Sequence, residues 1–134
     1  MTPLLLAYSA LVAAIVALDL LWLGVVMKDF YRANLGHLMA PSVVWGAAVA
    51  FYLVFAAGLL YFAVIPALSA GSLLRAALLG ALLGALCYAT YDLTNHATLK
   101  NWPLAVTLLD IAWGAVLSAA AASAGYLAAK LAGG

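Results

Sequence analysis

Charge is what this chain has least of: only 7% of its 134 residues are Asp, Glu, Lys or Arg, against about a quarter in an ordinary soluble domain. With 70% hydrophobic residues as well, a soluble fold is excluded and lipid is the expected solvent. The few charges nearly cancel, five Lys and Arg against four acids for a net +1. That is too few cations to grip a phosphate backbone, which excludes nucleic acid as a partner. Cysteine is almost absent. The lone Cys87 allows no intrachain disulfide, no thiolate metal site and no redox pair, and reads as a small apolar filler. Basic residues are also missing before the first apolar run. Ala7-Tyr8-Ser9-Ala10 superficially resembles a signal-peptidase site, but the run continues through Asp19 to Met27, long enough to cross a bilayer.

What is present is four apolar stretches. A spanning helix needs about 20 apolar residues, so four spans with short connections use nearly the whole chain. The expected fold is all-α: one domain over 1–134, a four-helix transmembrane bundle with helices at about 3–27, 41–66, 72–99 and 103–130. Lys28 to His37 is a mixed charged and aromatic stretch, suited to the membrane interface, and reads as the one real loop. Pro41 fits the first turn of the second helix, and Pro66 is expected to close it. Ser69-Ala70-Gly71-Ser72 makes a tight turn with a cap candidate, and Asn101-Trp102-Pro103 makes another with an interfacial Trp. Lys28, Arg32 and Lys100 fall on one side and Arg75 and Lys130 on the other. That bias places the 28–40 and 100–102 connections in the cytoplasm and both termini outside.

Three of the four acids lie inside the spans. Asp19 is eight residues before Met27, Asp92 eight before Lys100, and Asp110 eight after Trp102, so each sits roughly 12 Å inside the same face. Each buried charge costs about 2.5 to 3.5 kcal/mol at the bilayer centre, so three at one depth predict convergence on a functional pocket; a purely structural polar network is the alternative. Ionised carboxylates at one depth repel, so the cluster is also a candidate to hold a proton. Ala76, Gly80, Gly84, Tyr88, Asp92 and His96 recur every four residues. One ridge of the third helix is therefore small at one end and polar at the other. Asp110, Gly114, Ser118 and Ala122 repeat the pattern in the fourth. Gly80-x-x-x-Gly84 is expected to pack within the monomer, with a homodimer seam as the alternative use. An Asp-x-x-Trp unit occurs twice, as Asp19 with Trp22 and Asp110 with Trp113, and the three-residue spacing places each Trp beside its own Asp. The pocket and proton-binding candidates are Asp19, Asp92, Asp110, His96, Tyr88, Asn95, Trp22 and Trp113. Trp45 and Tyr52, two turns apart, are candidates to wall a cavity. His37 reads as a solvated loop residue.

Tyr91-Asp92-Leu93-Thr94-Asn95, Ala97 to Pro103 and Asp110-x-x-Trp113-Gly114 resemble the bacterial membrane proteins grouped as domain of unknown function 2177. The resemblance spans essentially the whole chain. It implies a multi-pass protein of the bacterial inner membrane with four helices, and it carries no activity, cofactor or site residue.

Three functions fit these residues. The first is a buried pocket of Asp and aromatic groups that binds, and in one version acts on, a small amphiphilic or lipid-like molecule entering from lipid. The second is a small dimeric transporter coupled to protons or cations, and the third a structural or accessory subunit. The acids all lie nearer one face, which favours a one-sided pocket over transport. Three Asp and one His suit Mg²⁺ or Mn²⁺ in ligand type, but no spacing is diagnostic and no metal is assigned. No reaction or cofactor is specified, and lipid is the one partner the composition requires.

Overall fold

In the computed structural model, which describes residues 2–134, four helices are long and apolar enough to cross a membrane. Helix α1 runs Thr2–Val26, α3 Trp45–Ala70, α4 Leu73–Thr98 and α5 Leu104–Leu131, with mean hydropathies of 1.7 to 2.4 over their most apolar windows. A short helix, α2 (Lys28–Leu35), follows α1.

The expected loop after α1 is therefore helical. Asp29 lies in the first turn of α2 and Arg32 in its last, each at the end of the helix where the backbone dipole favours its charge. Met27, Tyr31 and Leu35 fall on one stripe, and Tyr31 is buried against Trp102 and Val106. A single 3₁₀ turn, Gly36–Leu38, ends the segment.

The second spanning helix differs from expectation at both ends. It begins at Trp45 rather than Pro41, after Val44 in non-helical geometry (φ −81°, ψ 87°), and Met39 is extended (φ −72°, ψ 137°). It then passes through Pro66 to Ala70. A π-helical turn at Leu60–Val64 immediately precedes the proline. This wider turn shifts the carbonyl that the pyrrolidine ring would strike in a regular helix, so Pro66 is accommodated inside the span. The helix ends where Gly71 adopts left-handed geometry (φ 62°), with Ser72 N–H donating to the Ala67 carbonyl and Gly71 N–H to that of Leu68. That is a Schellman closure. Ser72 Oγ then accepts from Arg75 N–H at 3.1 Å and caps α4, as its place in the turn predicts.

Helix α5 is central and packs against α4 and α1. The four-residue ridges mesh: Ala76, Gly80, Gly84 and Asp92 of α4 are buried, as are Gly114, Ser118 and Ala122 of α5. A methyl on Gly80 would stand 2.6 Å from the Ser118 carbonyl oxygen and 2.7 Å from Ala122 Cβ. The Gly80-Gly84 face is thus filled by α5 of the same chain, and the approach depends on small residues, as expected where lipid supplies no hydrophobic drive. Leu11, Ile15, Leu59, Val64 and Leu117 fill the half of the bundle away from the acids, and Cys87 packs at the edge of this cluster. Helix α3 meets α4 mainly through its Leu60–Ala70 half, and its Trp45–Leu59 half reaches α4 through side chains such as Phe55, whose ring lies 6.3 Å from that of Tyr88. Trp45, at the start of that half, is 67% exposed and does not line the cleft that Tyr52 helps to form.

Candidate functional site

The three intramembrane acids are brought to one region. Asp19 and Asp110 line a cleft of about 300 Å³ together with Phe51, Tyr52, Tyr88 and Tyr91, so α1, α3, α4 and α5 all contribute. Asp92, one turn from Tyr88 on the same ridge of α4, is fully buried, and Asp110 is among the groups its charge interacts with. Neither Asp92 oxygen has a donor. A buried carboxyl group without a donor is costly, and a second carboxyl group could satisfy it only by sharing a proton.

The Asp-x-x-Trp units do not pair as their spacing predicts. Trp113 of α5 donates from Nε1 to Asp19 Oδ1 of α1 at 3.0 Å. Trp22 of α1 donates to the Tyr31 hydroxyl at 3.1 Å, and Tyr31 donates to Asp110 Oδ1 of α5 at 2.8 Å. Each Trp therefore serves the acid of the other helix, one directly and one through Tyr31. The indoles stack between them, with centroids 4.2 Å apart and planes 3° from parallel. Antiparallel helices with their acids at one depth set this exchange: an indole is long enough to cross the 8–10 Å typical between packed helix axes, and the opposite acid lies at its tip. The backbone adjusts here too, because the π turn Trp22–Val26 starts at the stacked residue. The second Asp19 oxygen accepts from the Tyr52 hydroxyl at 2.8 Å.

Two candidates lie elsewhere. His96 Nδ1 is 3.1 Å from Thr107 Oγ1, which also accepts from Trp102 Nε1 at 3.0 Å. The histidine thus fastens the α4–α5 turn and is bonded to no carboxyl. Asn95 lines a separate cavity of about 490 Å³ with Leu35, Leu38, Met39, Tyr91, Leu99 and Trp102. Among the described residues, no group of three or more His, Cys, Asp or Glu is placed to hold a metal ion.

Sequence reasoning missed Tyr31 and the cleft residue Phe51; for Tyr31 the one available signal was its place on the Met27, Tyr31, Leu35 stripe. Burial, offset in part by the Trp22 hydrogen bond and reinforced by Asp110, raises its phenol above the ordinary value of 10.0. A raised folded-state value means that the contribution is intact below pH 10 and is lost as pH rises further and the phenol ionises against Asp110. Alkaline titration is therefore expected to unlatch α2, and Tyr31→Phe to flatten that dependence above pH 10 while lowering stability at neutral pH. Thermal unfolding against pH checks both; equal alkaline slopes in the two proteins would show that Tyr31 is not the group responsible.

No curated protein and no solved structure matches this chain. The family model described as "Predicted membrane protein (DUF2177)" covers residues 4–127, nearly the full length, and the chain belongs to that family of membrane proteins.

Proposed function

We propose that the protein binds a small amphiphilic molecule that enters sideways from the lipid, with its polar end at Asp110 and Asp19 and its apolar part between α3 and α4. The observation that carries this reading is the composition of the cleft. Two carboxyl groups lie at its inner wall, and the rim residues Phe51 and Tyr91 are 45% and 55% exposed on the outside of the bundle. In a membrane that outside is hydrocarbon, so the route to the acids runs through lipid. Intramembrane ionisable groups are costly and tend to mark function, and a concave apolar site with a few convergent polar groups is the usual form of a ligand pocket. Asp19, with both oxygens engaged, frames the site; Asp110, with only Oδ1 engaged by Tyr31, faces the ligand. The packed Leu and Ile beyond the acids favour a pocket open on one side over a transport path. The resemblance noted from the sequence points to the inner membrane of a bacterium as the setting.

Native mass spectrometry of the protein from gentle detergent tests the proposal against a total bacterial lipid extract. The wild type is expected to retain one amphiphile saturably, and Asp110→Asn to retain about tenfold less, the size of one lost charged contact. Failure of every component of the extract to bind saturably, or equal retention by Asp110→Asn, overturns the reading.

A further inference from the structure

We infer that the polar end of the ligand is a cation, an ammonium group carried on an apolar tail. The inference rests on the proposed cleft and specifies what it takes.

The charge inventory carries the argument. None of the five Lys and Arg lines the cleft. Lys28 and Arg32 instead line a cavity of about 440 Å³ with Leu23, Gly24, Tyr31 and Met39; Lys100 lies in the turn between α4 and α5, and Arg75 and Lys130 belong to the opposite end of the bundle. Every donor that reaches the acids is neutral: Tyr52 and Trp113 to Asp19, and Tyr31 to Asp110. Neutral donors orient a carboxylate without cancelling its charge. Negative charge on these acids therefore meets no counter-ion among the described residues that line the cleft. Asp92 adds a second sign, since it lies on the same ridge of α4 as the cleft residue Tyr88, is fully buried and has no donor.

The rest of the wall suits the same ligand. Phe51, Tyr52, Tyr88 and Tyr91 surround the opening with aromatic rings, whose electron-rich faces attract ammonium groups and repel anions. These rings present no cationic donor to a phosphate or sulfate, and the carboxyl groups would repel one. At about 300 Å³ the cleft is at the small end of ligand pockets. It suits a headgroup and the first carbons of a tail, with the remainder lying in lipid beyond Phe51 and Tyr91.

The test uses the full chain in nanodiscs of digalactosyldiacylglycerol, a neutral lipid without an ammonium group, and three probes with one tail: dodecyltrimethylammonium, dodecanol and dodecyl sulfate. Saturable binding of the ammonium probe is expected to be at least about tenfold tighter than that of the other two, the scale of a desolvated cation–π contact plus a charge pair. Asp110→Asn should remove that preference and leave dodecanol unchanged. Should that variant fail to fold, Phe51→Leu and Tyr91→Leu, on the exposed rim, should each weaken only the ammonium probe by several-fold. Equal binding of dodecanol and the ammonium probe, both sensitive to Asp110→Asn, would overturn the cation and leave the cleft standing. If no probe binds saturably, the cation and the cleft fall together.

Discussion

A single methyl group at Gly84 is expected to lower the stability of the folded bundle by about 1–3 kcal/mol, whereas the same methyl at Gly58 should leave it unchanged or slightly raised. At Gly84 a Cβ would occupy space already held by the Gly114 carbonyl oxygen and the Ser118 side chain. Backbone cannot rotate out of the way, so α4 and α5 must separate. At Gly58 the nearest atom to a new Cβ is a Leu83 methyl 3.9 Å away, an ordinary contact, and alanine is the better helix former by about 1 kcal/mol. The two substitutions are chemically identical and differ only in what they meet. Unfolding in mixed micelles, followed by circular dichroism as the denaturing detergent is raised, compares them directly. The site should respond as well, because Asp92 lies on α4 and Asp110 on α5. Wild-type stability in Gly84→Ala would refute the close α4–α5 approach.

Asp92→Asn is expected to stabilise the fold while impairing the site. The native side chain is fully buried, and neither of its oxygens has a donor. A buried group without a partner costs about 1–3 kcal/mol. Asparagine has the same shape, removes the charge and offers an N–H to Asp110, so a gain of about 1 kcal/mol follows from the new bond. The same change removes an ionisable neighbour of Asp110 and should weaken retention of the ammonium probe. Opposed signs in stability and binding are the mark of a residue kept for function at a cost to folding. A residue kept only for structure would lose stability instead, and a less stable Asp92→Asn would remove Asp92 from the site.

The four spans were legible because hydropathy over a window of bilayer length is the strongest signal a chain can carry. The meeting of the acids was legible too, from their equal depth and from the ridge Ala76, Gly80, Gly84, Tyr88, Asp92, whose spacing keeps those residues on one face. Partner choice was not. Trp113 lies 94 residues from Asp19, and Tyr31 lies 79 from Asp110; no local period relates such positions, and i, i+3 proximity within a helix lost to the reach of an indole across the interface. His96 looked like a companion of Asp92 by spacing, yet the tight Leu99–Pro103 connection carries Thr107 back beside its ring. Pro66 read as a stop because the rule against proline assumes regular α geometry, and the π turn before it sets that assumption aside.

The crossed pairing also constrains the order of biosynthesis. Asp19 enters the membrane in the first span, but one of its two donors, Trp113, arrives only with the last. Asp110, with which Asp92 interacts, likewise arrives only with α5. A nascent chain carrying the first three spans therefore holds two acids whose final surroundings have not yet been made. The high hydropathy of α1, 2.4 over its most apolar window, lets that span tolerate one acid while it waits. Assembly of the acid cluster is thus a late event, set by release of α5 from the translocon, and a chain truncated before Leu104 would expose its unpaired carboxyl groups to membrane quality control.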